Sequence, residues 1–379
     1  MYRVEDEIRE FSSPSRYYQG AGLIGKLPGY TARFGDKVFA LIDAYFYDAL
    51  SEELKRLYES EGMEFRAESF SAEVTVERIA LVAESLKEFA PDAVLGIGGG
   101  KTIDTAKGAA ALLKSATVIV PTTASTDAPT IALSTLYTDE GLPAGARKYQ
   151  TNPDIVLVDS RVIADAPVRF LVSGMGDALA TVFEARACKA NDSKNYAGYR
   201  GTVLANSIAE TCYKTLLENG KKALHAARRH VITEALEDII ETNVLLSGLG
   251  VENTGVAGAH SIDRAIARQP ESKHTLHGER VGFGTLCQLV VENAPKDLLA
   301  EALEFCASVG LPITLKDLRI ENTKKKISDI AERSMDTFWD REPLYITEEK
   351  VAAAIAAVDE MGIEYRRIHN IPAALSAGE

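Results

Sequence analysis

Cysteine is scarce in this chain, and the few copies do not cluster. Cys188, Cys212, Cys287 and Cys306 lack the spacing of a metal site or a disulfide framework. They are expected to be reduced and buried in a cytoplasmic protein. A basic excess is also absent. With 42 Lys and Arg against 55 Asp and Glu the formal net charge is −13, which argues against a nucleic-acid partner, since that would want a basic face. No apolar run is long enough to span a membrane. The stretch Met1-Tyr2-Arg3-Val4-Glu5-Asp6-Glu7 is acidic and polar, so no secretory leader is expected. Repeats and low-complexity segments are missing. Histidine has only six copies, His225, His230, His260, His274, His277 and His369, so imidazole chemistry has few places to reside. What remains is ordinary globular material: 379 residues, 46% hydrophobic and 26% charged, enough for about two domains at the usual 100–200 residues each.

The stretch that organises the chain runs from Val94 to Lys107. A short apolar run, expected as a buried strand, passes through Gly98, Gly99 and Gly100. It leaves as a helical pattern with Ile103, Ala106, Ala110 and Leu113 on one face. Such a turn presents bare backbone N–H groups at a positive helix N-terminus, a place to hold phosphate. A Walker A loop would need glycine where Leu95 stands, and G-x-G-x-x-G read from Gly96 and Gly98 would need it at Lys101. The loop alone therefore points to a phosphate or dinucleotide, against a tight strand–helix connection with no ligand.

Around this stretch the first half alternates strands and helices. Lys37–Asp43 is an expected buried strand ending in an acid. An amphipathic segment around Leu50 to Tyr58 follows, then a strand near Glu64 to Phe70, and Ile79, Val82, Leu86 and Phe89 at helical spacing. Thr117–Pro121 and Ile155–Asp159 are further apolar strands. Near-continuous apolar strands alternating with helices predict a parallel α/β sheet. Between the last two, Pro129 to Thr138 with the turn Asp139-Glu140-Gly141 predicts a small hairpin, with Ile131, Leu133 and Tyr137 on one strand face. From about Pro167 the strands vanish. Helical segments at Gly176 to Ala190, Ala205 to Leu217, Thr233 to Leu249 and Thr347 to Met361 predict a helical second domain, with the boundary at Ala164-Asp165-Ala166-Pro167. The final Ser376-Ala377-Gly378-Glu379 is expected to fray.

Several polar residues stand where chemistry is possible. Asp177 lies in Gly174-Met175-Gly176-Asp177-Ala178, at the expected start of a helix, where a simple N-cap role is an alternative. His260 follows Gly258-Ala259, and His277 precedes Gly278. Any one of these histidines alone would be a satisfied core residue. One carboxylate and two imidazoles beside small residues would instead make a three-ligand site with an open position, as a catalytic Zn²⁺ or Fe²⁺ needs. Thr122 to Pro129 follows a strand end, where hydroxyls can reach phosphate or ribose, and alternatively forms a Ser/Thr-rich turn. Asp43 also ends a strand. It could accept both ribose hydroxyls of an adenosine and favour NAD over NADP, or merely start a turn.

Together these stretches resemble the glycerol dehydrogenase branch of the metal-dependent (iron-containing type) alcohol dehydrogenases. The resemblance covers almost the whole chain and is densest in Gly96 to Lys107, Pro121 to Pro129, Gly174 to Cys188 and Leu245 to Leu289. It implies an α/β Rossmann-like N-terminal domain with a parallel sheet (residues 1–166) and an all-α C-terminal domain (167–379), the dehydroquinate synthase-like architecture. It implies an active site in the cleft between them. On this resemblance Asp177, His260 and His277 are the metal ligands, with Zn²⁺ favoured and Fe²⁺ the alternative. Gly98, Gly99, Gly100, Lys101 and Thr102 take the NAD pyrophosphate, and Asp43 takes the adenosine ribose. Thr122 and Ser125 lie near the nicotinamide half, Ile131, Leu133 and Tyr137 wall it, and Asp127 bonds the substrate's hydroxyls. The implied reaction is metal- and NAD-dependent oxidation of a secondary hydroxyl of a small polyol, in a homo-oligomer that relatives often build as an octamer.

Thr181 stands where four-ligand iron enzymes place a histidine, which favours the three-ligand branch. Two positions depart from the branch: Val251 replaces a phenylalanine and is expected to enlarge the pocket, and Asp263 replaces a histidine and is expected to add negative charge. His274 is a candidate for a supporting contact behind the metal ligands, with a purely structural role as the alternative. The rival readings are a polyol-phosphate dehydrogenase, a dehydroquinate synthase-type lyase or cyclase using NAD transiently, and a non-enzymatic NAD-binding protein. The lyase needs a cationic cluster, for which only Arg264, Arg268, Lys273 and Arg280 are near the ligands.

Overall fold

The structure is a computed structural model that describes residues 8–371. The expected frayed tail at Ser376–Glu379 and the acidic start lie outside the described residues. Contacts divide the described chain into two compact units. One comprises 12–124 and 128–166, the other 8–11, 125–127 and 167–371.

The first unit is built on eight strands: β1 (Arg16–Gly20), β2 (Lys37–Asp43), β3 (Glu64–Phe70), β4 (Ala93–Gly98), β5 (Ala116–Pro121), β6 (Leu133–Tyr137), β7 (Pro143–Lys148) and β8 (Ile155–Asp159). Six of them form a parallel sheet in the order β1-β8-β5-β4-β2-β3. Its central strands are apolar throughout because helices cover both faces. Val38–Ile42, Ala93–Ile97 and Ile155–Val158 are fully buried or nearly so. Each Leu, Ile or Val so buried contributes about 1.5–3 kcal/mol. The helix Gly100–Leu113 returns close along β4 because Gly96 has no side chain. A Cβ there would stand 2.7 Å from Ala106 Cβ and 3.1 Å from Ile103 Cα.

Three expectations need correction in this unit. The helix after β3 covers Val76–Ser85 and stops there, so Leu86 and Phe89 reach the core from the turns that follow it. The hairpin forms, but its first strand begins at Leu133, so Ile131 precedes it. The register shift between Thr135 and Tyr137 puts its extra residue in β7, so Leu133 and Tyr137 keep one face of β6, which Ile131, outside the strand, does not share.

The second unit is helical. The helices Val168–Ala190, Val203–Ala227, Gly258–Ala267 and His277–Val291 form its centre, where Ala180, Ala259 and Val281 make a small buried cluster. Glycines set how closely they cross. A Cβ on Gly278 would lie 1.7 Å from Ser173 O, one on Gly176 2.2 Å from Gly278 O, and one on Gly284 2.4 Å from Ala259 O. Gly176 is thus part of a helix-crossing surface, and Gly174-Met175-Gly176 is not a helix start. The helix begins at Val168, and Asp177 is internal to it, which removes the N-cap reading. The expected helix from Thr233 to Leu249 is Glu234–Glu241, then a π-helical turn over Thr242–Leu246, then Ser247–Thr254. Among the described residues no helix is long and apolar enough to cross a membrane.

Candidate active site

In the helical unit, the close crossings bring three side chains to one point. Asp177 comes from the middle of its helix, His260 from the first turn of Gly258–Ala267, and His277 from the first position of His277–Val291. One ligand atom from each lies within 4.8 Å of the others. Asp177 Oδ1 stands 3.3 Å from His277 Nε2 and 3.7 Å from His260 Nε2. It is nonetheless buried without a hydrogen bond. An orphaned, buried carboxylate oxygen facing two imidazole nitrogens is the arrangement that a shared divalent cation completes. Side-chain exposure rises from 1% at Asp177 to 11% at His260 and 33% at His277, so solvent reaches the cluster past His277.

The electrostatics agree with that reading. Burial pushes the Asp177 carboxyl up, but the two imidazoles and the N–H of Asp127 outweigh it and hold it below the usual range. Burial opposes charge on His277 as well, yet Asp263 and Asp177 raise it well above an ordinary histidine. His260 is raised likewise, burial being outweighed chiefly by Glu184. The carboxylates draw positive charge onto their neighbours, which a metal ion would supply directly.

Each imidazole has a carboxylate behind it. Glu184 Oε2 lies 2.7 Å from His260 Nδ1, and Asp263 Oδ2 lies 3.1 Å from His277 Nδ1. Asp263 also accepts from Arg280 Nε at 2.7 Å. The negative charge expected from Asp263 is therefore balanced locally by Arg280. His274 is exposed, and it is its backbone oxygen that is engaged, by Arg169 Nη2 at 2.7 Å. Glu184 was the missed partner, and its signal was simple: it follows Asp177 by seven residues, two turns along the same helix face.

Asp127 belongs with this cluster. Its N–H donates to Asp177 Oδ2 at 3.3 Å, and Ser247 Oγ donates to its carboxylate at 3.4 Å. Ser247 in turn stands 3.1 Å from Thr181 Oγ1. Burial and the charge of Asp177 push the Asp127 carboxyl up to about 7. Ser125 sits two residues earlier, its carbonyl accepting from Ser173 Oγ at 3.2 Å.

The sheet unit holds the second constellation. The strand order reverses between β2 and β4, since β3 lies on the far side of β2 and the chain continues on the other. Ligands of open α/β sheets bind beyond the carboxyl ends of strands at such a switch point. Those ends are Asp43 and Gly98. A Cβ on Gly98 would stand 2.8 Å from both Asp43 Cβ and Thr102 Cβ, whereas at Gly99 and Gly100 nothing lies within 4 Å. Open space over a helix N-terminus capped by Gly99, without any side-chain cap, fits a pyrophosphate. Asp43 makes the turn contact expected at a strand end. One oxygen caps the next helix through Tyr45 N at 3.0 Å, while the other accepts from Thr102 Oγ1 at 3.4 Å. Lys101 is ion-paired with Glu73. Thr122 is buried, and its N–H bonds Gly98 O at 3.1 Å. Lys107, buried in the helix Gly100–Leu113, pairs with Asp104 of the same helix at 2.7 Å and donates to the carbonyls of Ala128, Ile131 and Leu133. It braces the segment that carries Ile131, Leu133 and Tyr137.

Residues 14–160 match the sequence profile of the iron-containing alcohol dehydrogenases. A glycerol dehydrogenase of Citrobacter freundii is 40% identical over 362 residues, covering 94% of this chain and 99% of the relative. The chain belongs to the iron-containing alcohol dehydrogenase family. Among other relatives of this family, a glycolaldehyde reductase of Halobacterium salinarum is 37% identical over 94% of this chain and 98% of its own. The crystal structure of a probable glycerol dehydrogenase from Sinorhizobium meliloti 1021 superposes with a TM-score of 0.89 at 40% identity, covering 94% of this chain and all of that one. The family's parallel-sheet unit followed by a helical unit is the architecture described above.

Three of the four cations near the proposed ligands are committed elsewhere, and the fourth, Lys273, is exposed. Arg264 lies over the Phe338 ring at 4.4 Å, Arg268 bonds Arg333 O at 3.2 Å, and Arg280 is held by Asp263. None of these three is presented to a phosphorylated substrate, which weighs against both phosphate-based rivals.

Proposed function

We propose that this protein oxidises the secondary hydroxyl of a small vicinal polyol, glycerol or a related 1,2-diol, with reduction of NAD⁺. The carrying observation is the cluster of Asp177, His260 and His277, with Asp127 bonded to Asp177 through its backbone N–H and its carboxylate held by Ser247. Asp177, His260 and His277 would hold a divalent metal, Zn²⁺ in preference to Fe²⁺ because three nitrogen and oxygen donors with an open position suit it. The metal supplies positive charge that makes an adjacent alcohol easier to deprotonate, and NAD⁺ accepts the hydride. Asp127 orients the neighbouring hydroxyl of the diol by accepting its hydrogen bond, and Ser247, backed by Thr181, fixes the carboxylate that does so.

NAD would lie on the 1–166 domain, with its pyrophosphate over Gly98, Gly99, Gly100, Lys101 and Thr102 and its ribose on Asp43. Thr122, Ser125, Ile131, Leu133 and Tyr137 would line its nicotinamide half. The 167–379 domain would hold the metal. The four buried, unpaired cysteines support a cytoplasmic location, and the resemblance supports a homo-oligomer, an octamer in many relatives.

A second substrate reading has one observation behind it. The Halobacterium relative is a glycolaldehyde reductase, and a hydroxyaldehyde offers Asp127 the same neighbouring hydroxyl as a diol. The deciding experiment is initial-rate NADH formation from glycerol and 1,2-propanediol, and NADH consumption with glycolaldehyde, before and after chelation and with Zn²⁺ restored. Metal-dependent NADH formation on glycerol supports the proposal. Turnover confined to glycolaldehyde moves the substrate, and turnover indifferent to chelation removes the metal. His260→Ala or His277→Ala should lose bound metal and turnover together.

A further inference from the structure

Glu184 is completely buried, and two backbone N–H groups and one imidazole nitrogen converge on its two carboxylate oxygens. Oε1 accepts from the backbone N–H of Ala257 at 2.7 Å and of His260 at 3.0 Å, and Oε2 faces His260 Nδ1 at 2.7 Å. The first two bonds belong to the N-terminus of the helix Gly258–Ala267. Gly258 N–H is bonded separately to Glu342 Oε1 at 3.0 Å, and Ala259 N–H to Gln288 Oε1 at 2.9 Å. The four leading N–H groups of that helix are thus all satisfied by side chains from other elements.

We propose that Glu184 is a positioning residue that fixes which nitrogen of His260 faces the metal ligand set. This rests on the metal reading above. With Oε1 filled by two backbone donors, Oε2 can only accept, so Nδ1 must carry the ring proton. The lone pair is then on Nε2, the nitrogen that points toward Asp177. The imidazole is delivered in the tautomer a metal requires, already turned to the correct side. Asp263 occupies the corresponding place behind His277 at 3.1 Å, but His277 is one-third exposed and can exchange that partner for water. His260 has no such freedom.

The geometry makes Glu184→Gln a sharp probe. The two backbone N–H groups select the amide oxygen for the Oε1 position and thereby force the NH₂ group to face Nδ1. Nδ1 must then accept, the ring proton moves to Nε2, and it points at the metal position. The helix cap survives while the tautomer inverts. Metal binding would be measured as Co²⁺ and Zn²⁺ dissociation constants by chelator competition, with the Co²⁺ absorption spectrum and the melting temperature of the metal-free protein alongside. The expected result is about 10–100-fold weaker metal binding and an altered Co²⁺ spectrum, with metal-free melting close to wild type. Glu342→Gln keeps the neighbouring cap bond without touching His260, and should bind metal as wild type does.

Affinity in Glu184→Gln within threefold of wild type, with an unchanged spectrum, overturns the proposal. If Glu184→Gln does not fold, Glu184→Asp and Glu184→Asn form a pair of equal length. The Asp variant should bind metal at least tenfold tighter than the Asn variant, and equal affinities overturn the proposal. Failure of the wild-type protein to bind Co²⁺ or Zn²⁺ would instead strike the metal reading itself.

Discussion

At Gly278, next to a proposed ligand, a single methyl group has nowhere to go. Gly278→Ala would drive a carbon against Ser173 O, so this substitution should destabilise the protein by about 3 kcal/mol or more. Urea titration checks it, and a variant as stable as wild type would show that the two helices can part cheaply. Gly99→Ala and Gly100→Ala are the converse case. Nothing lies within 4 Å of either added carbon, so both should fold normally and lose NAD affinity by tenfold or more in a fluorescence titration. Unchanged affinity would remove these glycines from the cofactor site.

Glu342 gives a pH signature. Burial and the nearby Glu292 push its carboxyl from 4.5 up to about 9, so the folded protein keeps a proton that the unfolded chain releases. Its stabilising contribution is complete below about pH 4.5 and is lost as pH rises toward 9. Glu342→Gln should therefore flatten the fall in denaturation midpoint between pH 6 and 9. An identical slope in both proteins counts against the assignment. The clustering of Asp177, His260 and His277, the proposed ligands, was readable because each lies beside glycine or alanine in a family-like stretch. Glu184 offered only its helical spacing from Asp177 and Ser247 offered no local signal, because their contacts come from far along the chain: 73 and 76 residues for Glu184, 120 for Ser247.

Elements were read best where burial alone dictates pattern. β2 and β8 lie where the apolar runs do, because a strand covered on both faces cannot tolerate polar interruption, whereas β3, an edge strand, keeps only Phe65 and Phe70 buried among polar neighbours. Reading failed where glycine served packing in place of a helix start, as at Gly176, and where the helical repeat was altered. The π-helical turn at Thr242–Leu246 has no local sequence mark, yet it sets the facing of Ser247, the next residue, toward Asp127. The hairpin was foreseen, but not its brace. Lys107→Met would strip three carbonyls of their donor and leave Asp104 buried without its cation, a loss of about 3–5 kcal/mol if fully realised. Hydrogen exchange should accelerate across β6 and β7, with weaker NAD binding. Unaltered protection of β6 would mean that the strand pairing alone holds the segment.

Across the whole molecule, each compact unit carries one proposed ligand set: the glycine turn in one, the three metal ligands in the other. Ligands stabilise what they bind by mass action, by about 2.7 kcal/mol at a hundredfold excess over Kd. Calorimetry with NAD alone and with Zn²⁺ alone should therefore raise two different unfolding transitions. Both ligands raising one common transition would show that the units melt as one. A different consequence follows from the place of β1. It pairs only with β8, and Gly22 and Ile24 tie its end to the Asp159 carboxylate, 137 and 135 residues further on. At a synthesis rate of about 5–20 residues per second, that partner leaves the ribosome on the order of ten seconds after β1 does. Until then β5 also has an open edge, since β8 must slot between the two. The first strand to be made is thus among the last to be seated, and a nascent chain stalled before Ile155 exposes both edges to any other chain emerging beside it.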